Sequence, residues 1–108
     1  MKIRSQEILV RQIKFFIEEN GREIGHATLL LCRNDLYDQP FGLLEDVFVS
    51  EDMRGKGIGD VLVRRVIEEA KVSCYKLIAT SRHSRQAVHE WYRRLGFKDH
   101  GTEFRLDF

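Results

Sequence analysis

Arg54-Gly55-Lys56-Gly57-Ile58-Gly59 lies between an apolar strand, residues 43–49, and an amphipathic helix over about 58–71. Three alternating glycines beside two cations, at a strand-to-helix joint, let the backbone aim several N–H groups at one point. The positive end of the helix dipole stands behind them, which makes the joint a site for a phosphate or pyrophosphate. Arg54 and Lys56 sharpen that reading, because cations at a helix N-terminus oppose the dipole unless an anion lies between them. Glycines also serve as plain left-handed turns and close-packing points.

Two phosphate-binding patterns fail on spacing. A P-loop needs G-x-x-x-x-G-K-[ST], and no Gly-Lys is followed here by Ser or Thr. A dinucleotide fingerprint needs G-x-G-x-x-G, but the third glycine comes one residue early and Asp60 follows it. What fits is R-x-x-G-x-G, carried by Arg54, Gly57 and Gly59. With Val47-Phe48-Val49 before it and Trp91-Tyr92-Arg93-Arg94-Leu95-Gly96-Phe97 after it, the chain resembles the GNAT superfamily of N-acetyltransferases over roughly residues 41–108. The loop matches that family's Q/R-x-x-G-x-G/A, and the later segment its Y-x-x-x-G-F ending.

At 108 residues the chain is expected to form one domain, 1–108. A hydrophobic fraction of 43% is enough for one packed core, and a single proline argues against a disordered tail. A formal charge of +1 argues against general affinity for nucleic acid or anionic membrane. Cys32 and Cys74 are far apart and read as reduced thiols of a cytoplasmic protein without a signal peptide. No apolar run is long enough to span a membrane.

Residues 8–19 are rich in β-branched and aromatic side chains, and Asn20-Gly21 after them is a hairpin signal, since both accept positive φ. The return strand is expected over 22–33, a polar loop over 34–40, and a strand over 41–49 in which Gly42 marks a bulge or a close approach. In the next helix Ile58, Leu62, Val66 and Ala70 repeat every four residues, broadened by Val61, Val63 and Ile67. A short strand over 75–80 and a helix over 84–95, with Ala87, Val88, Trp91 and Leu95 on its buried stripe and Gly96 at C′, follow. Two last strands are expected over 97–100 and 102–108, where Phe104, Leu106 and Phe108 alternate with charges. The expected fold class is α/β, a GNAT-like mixed sheet flanked by helices in the order β-β-β-α-β-α-β-β. Family members usually carry helices between the first two strands, walling the acceptor site; those are reduced or absent here.

The resemblance implies acetyl-coenzyme A as cosubstrate, with no metal. It assigns the pyrophosphate to Arg54, Gly55, Lys56, Gly57, Ile58, Gly59 and Asp60, and the pantetheine arm to the backbone of Val47, Phe48 and Val49. An ordinary buried strand would read the same way. Tyr92, four residues before Gly96, matches the family's general acid, since a phenol can protonate a departing thiolate; otherwise it is an amphipathic aromatic with its hydroxyl in water. Arg85 stands where the family often has asparagine and either reaches a coenzyme phosphate or is a solvated cation. Glu45 and Asp46 are expected on opposite faces of their strand. Charges in an apolar strand need a partner or a function. An amine acceptor must lose a proton before attack, so Glu45 is a candidate base or amine-orienting group, with a salt-bridged structural role as the alternative. Asp35 and Asp38 join this pair in hinting at a cationic acceptor. His26, His83, His89 and His100 show no metal-ligand spacing.

These readings converge on a cytoplasmic N-acetyltransferase moving acetyl to a small amine or peptide acceptor by direct attack in a ternary complex. The rivals are a non-catalytic acyl-coenzyme A sensor and a nucleotide-binding regulator, the latter lacking a phosphate-loop lysine or ribose-binding acid. A homodimer is expected, because a sheet face or edge without covering helices invites a second subunit.

Overall fold

A computed structural model describes the whole chain, Met1–Phe108. It divides into two units, Met1–Ile78 and Ala79–Phe108. The first is built on three strands that pair in chain order: β1 (Arg11–Glu19), β2 (Arg22–Cys32) and β3 (Phe41–Val49), each antiparallel to the last. Asn20 and Gly21 close the first hairpin with φ of 54° and 75°, the mirror-image turn that suits the right-handed strand twist. That two-residue turn leaves no room for helices between β1 and β2. After β3 come a 3₁₀ turn (Glu51–Met53), the glycine loop and α1 (Ile58–Ser73). The short strand β4 (Leu77–Ala79) then adds beside β3, giving sheet order β1-β2-β3-β4. The Gly42 amide already donates to the Lys76 carbonyl at 2.9 Å, next to β4.

One face of the sheet is covered by α1. Leu62, Val63, Val66 and Ala70 are buried, and Ala27, Leu29, Leu31 and Leu44 are buried with them. Each fully buried aliphatic side chain contributes about 1.5–3 kcal/mol relative to exposure. The every-fourth-residue stripe is therefore the packing stripe, although Val61, expected to broaden it, is 60% exposed. Gly25 marks where helix and sheet touch: a Cβ there would lie 3.1 Å from Ile58 Cγ2 and from Leu62 Cδ1, and 3.0 Å from the Phe48 carbonyl oxygen. Gly42 is likewise a close approach, its would-be Cβ 2.9 Å from Leu29 Cδ1 and 3.2 Å from Cys74 Sγ.

The bulges lie elsewhere. The β1–β2 register shifts after Ile17, leaving Ile24 extra on β2. The β2–β3 register shifts between His26 and Thr28, so that Asp46 and Val47 together oppose Ala27. Asp46 takes φ of 52°, a left-handed conformation that few residues other than glycine adopt. This bulge corrects the expectation for Glu45 and Asp46. Glu45 pairs with Thr28, on the same side of β2 as His26, and Asp46 reaches His26 directly. One extra residue turns two neighbouring carboxylates toward the same face, the one away from α1.

The second unit holds α2 (Gln86–Leu95), which begins two residues later than the pattern suggested, with Arg85 as N-cap. Val88, Trp91, Tyr92 and Leu95 are half-buried, while Ala87 is exposed. Gly96 ends the helix at φ of 104°, its amide donating to the Arg93 carbonyl and the Phe97 amide to the Tyr92 carbonyl, both at 3.0 Å. The two strands expected after it are absent: residues 96–108 form no ladder, and Phe104, Leu106 and Phe108 are exposed. Alternation prepares a strand, but a strand also needs a neighbour to receive its hydrogen bonds. No helix in the chain is long and apolar enough to cross a membrane.

Candidate functional site

The segment leading into the glycine loop is held at several points. The Ser50 amide donates to the Ile24 carbonyl at 2.9 Å, and the Met53 amide to the Ser50 carbonyl at 2.9 Å, closing the 3₁₀ turn. Arg22 forks onto Asp52, Nη1 to Oδ1 at 3.2 Å and Nη2 to Oδ2 at 2.8 Å, tying that turn to the start of β2. These hydrogen bonds from Arg22 hold the Asp52 carboxyl below its ordinary value. Arg54 then bends back, its Nε donating to the Val49 carbonyl at 3.1 Å.

Just past these anchors the backbone is left-handed twice, with φ of 79° at Gly55 and 81° at Gly57. An added Cβ would meet nothing within 4 Å at either position, so conformation rather than crowding demands glycine, and the space beside the loop is open. Gly57 is the N-cap of α1, no side chain caps the turn, and the first helical bond runs from the Val61 amide to the Gly57 carbonyl at 3.1 Å. Gly57 has no side chain to take up the amides that follow it, so an acceptor from outside can approach the turn. Arg54 and Lys56 flank the turn as exposed cations, Lys56 Nζ resting 3.8 Å from Met53 Sδ. Asp60 lies in the first turn, its Oδ2 3.8 Å from Arg64 Nε. Open space at left-handed glycines, uncapped amides and two cations together fit a pyrophosphate.

Only Ser50 and the 3₁₀ turn separate β3 from this loop, so Val47, Phe48 and Val49 lie close to Arg54–Gly59 along the chain of the first unit. The Val49 carbonyl is used by Arg54; the bulge one turn of the pleat earlier leaves a β3 residue without a regular β2 partner. Glu45 is exposed on the face away from α1. Asp35 and Asp38 do not join it: they sit on the loop before Phe41, at the opposite end of β3 from the glycine turn. Tyr92 and Arg85 belong to the second unit. The Tyr92 ring stacks on Trp91 at 5.4 Å between centroids and tilts against Phe97 at 5.2 Å. Arg85 is exposed, its carbonyl accepting from the Val88 and His89 amides.

Two features escaped the sequence. Arg22–Asp52 joins residues on different elements, and no local pattern announces it. His26 has no ligand spacing, yet its Nδ1 lies 2.9 Å from Glu23 Oε2 and its Nε2 3.0 Å from Asp46 Oδ2. Hairpin register would have placed His26 opposite β3, but only the bulges bring the carboxylates to it.

The match of the Acetyltransferase (GNAT) domain covers residues 11–99. Glucosamine 6-phosphate N-acetyltransferase of Trypanosoma brucei brucei is 33% identical over 95 residues, 86% of this chain and 63% of the relative. The chain therefore spans under two thirds of that relative's length. A structure from Agrobacterium tumefaciens str. C58, provisionally designated an acetyltransferase, superposes with a TM-score of 0.83 at 33% identity, covering 90% of this chain and 69% of the other. A transcriptional regulator from Bacillus halodurans C-125 gives 0.81 at 24% identity, covering 90% and 66%, a likeness of fold alone. With the matched domain running from β1 through the glycine loop to α2, this chain belongs to the GNAT acetyltransferase family.

Proposed function

We infer that residues 1–108 work as one domain that transfers acetyl from acetyl-coenzyme A to a primary amine of a small molecule or peptide. The observation that carries this reading is the start of α1 without a side-chain cap, with Gly55 and Gly57 left-handed and open to solvent, one 3₁₀ turn after a bulged strand. Acetyl-coenzyme A supplies the activated acyl group as a thioester; the chain's part is to hold it, orient the amine and move protons.

Backbone amides of the Arg54–Gly59 turn, with Arg54 and Lys56, hold the pyrophosphate, and the backbone of Val47–Val49 aligns the pantetheine arm. Glu45 receives or orients the amine proton, and Tyr92 donates one to the leaving sulfur. Attack is direct. Cys74 is buried at the C-terminal end of α1, and burial first, then Glu69 and Cys32, push its thiol up, away from the thiolate a nucleophile needs. An amino-sugar phosphate is the first acceptor to try, because the trypanosomal relative is named for one. We place the protein in the cytoplasm on its reduced cysteines.

A panel of amino-sugar phosphates, aminoglycosides, polyamines and peptide N-termini, assayed by release of free thiol, tests the reading. Thiol release above the acceptor-free rate with at least one amine supports it. Saturable acetyl-coenzyme A binding with no release across the panel would favour an acyl-coenzyme A sensor instead.

A further inference from the structure

We propose that His26 is a positioning residue, an imidazole clasp that fixes the Asp46–Val47 bulge and so sets the direction of the backbone groups this bulge leaves unpaired. In a regular strand residues 23 and 26 point to opposite faces, as do residues 45 and 46. Here two register shifts undo both separations. The extra residue Ile24 brings Glu23 to the His26 side of β2, and the Asp46–Val47 bulge brings Asp46 to it from β3. Each ring nitrogen consequently faces a carboxylate, Glu23 Oε2 at 2.9 Å and Asp46 Oδ2 at 3.0 Å. Two bulges in neighbouring strands converge on one imidazole.

The ring itself is fixed. Its side chain is 15% exposed, and its centroid lies 5.4 Å from that of Phe48, its cross-strand partner. Lys14 Nζ holds Glu23 Oε1 at 2.7 Å, so the near carboxylate is pinned from β1. The far contact differs: Nε2 is buried, and Asp46 Oδ2 approaches it off the hydrogen-bonding line. That close approach falls on the one non-glycine residue of β3 that sits at positive φ. Left-handed backbone inside a strand is uncommon for any residue but glycine, and a contact that holds it there has a structural task. His26 is the side chain placed to do so.

The consequence for chemistry rests on the acetyltransferase reading. If the bulged backbone aligns the acyl arm, releasing Asp46 displaces it, and a misplacement of about 1 Å can cost about a hundredfold in rate. The test is a double-mutant cycle on His26→Ala and Asp46→Ala. Each single change is expected to lower kcat by tenfold to about a hundredfold, with KM for acetyl-coenzyme A held within about threefold, and the double mutant should be no worse than the poorer single. His26→Gln, which keeps one N–H donor, should restore part of the loss. Additive losses, a rise in KM alone, or full activity in His26→Ala overturn the clasp.

A second measurement does not depend on turnover. In ¹⁵N spectra of His26→Ala, the amides of Asp46 and Val47 should move while those of Gly55 and Gly57 stay. Bulge amides unchanged from wild type overturn the proposal even if the mutant is slow. Shifted bulge amides in a protein that acetylates nothing support the clasp and overturn only the acetyltransferase reading.

Discussion

At Gly57 the left-handed φ of 81° and the open space beside it separate two costs of substitution. Gly57→Val should fold, losing about 1–2 kcal/mol to the backbone, because no protein atom stands in the way. Its branched side chain would occupy the space where a pyrophosphate approaches. The rise in melting temperature that acetyl-coenzyme A produces by preferring the folded state should therefore disappear. An equal rise in wild type and mutant, measured by scanning fluorimetry, would mean that the loop does not hold the ligand. Tyr92→Phe separates packing from proton transfer. The ring keeps its contacts with Trp91 and Phe97, while turnover should fall about 10²–10⁴-fold. Calorimetric binding of acetyl-coenzyme A should weaken by less than about tenfold, roughly 1.4 kcal/mol. Full activity in the mutant at every pH would remove Tyr92 from the proton path. The sequence singles out both residues as candidates, because a glycine-rich turn and a motif tyrosine are local signals. It does not single out His26, since its partners are brought to it by register.

Between elements, one tight seam is Gly25 against the start of α1. Gly25→Ala would push on the Phe48 carbonyl, Ile58 and Leu62 together, and overpacking of this kind costs about 1–3 kcal/mol. The same push lifts the N-terminus of α1, so denaturant titration and acetyl-coenzyme A affinity should fall together; a stable mutant with unchanged affinity would refute the seam. The Arg22–Asp52 fork gives the acid limb. A carboxyl held low in the folded state stabilises above the ordinary aspartate value of 3.8 and loses that contribution as pH falls through its folded value. Arg22→Gln should therefore lose less stability on acidification below about pH 5 than wild type, and identical acid limbs would show the fork to be idle. The hairpin, the α1 stripe and the helix-ending Gly96 were legible in the chain, because each follows from turn chemistry or a 3.6-residue period. The two final strands were misjudged for the converse reason: residues 102–108 have the alternation, but pairing depends on an edge that local pattern does not supply. The β3 bulge lay hidden too, since Glu45-Asp46-Val47 contains no glycine to announce it.

For the molecule as a whole, the exposed apolar residues predict association. Phe16 is 53% and Phe48 43% exposed on the sheet face away from α1, and Phe104, Leu106 and Phe108 stand exposed in the C-terminal segment. A second copy of the chain is the simplest cover for exposed apolar side chains, and a homodimer is the expected outcome. Light scattering at micromolar concentration should return about twice the 12.7 kDa of one chain; a mass near 12.7 kDa would refute the dimer. The strand order β1-β2-β3-β4 carries a different consequence, for the time course of folding. Every strand pairs with the one synthesised just before it, so the loops to be closed are a two-residue turn, a short polar loop and a single helical crossover. Topologies of such local pairing fold quickly. During synthesis the β1–β2–β3 meander can assemble while the glycine turn is still being made. The glycine turn is then laid down onto three strands that already exist to receive it, before α1 and β4 complete the unit.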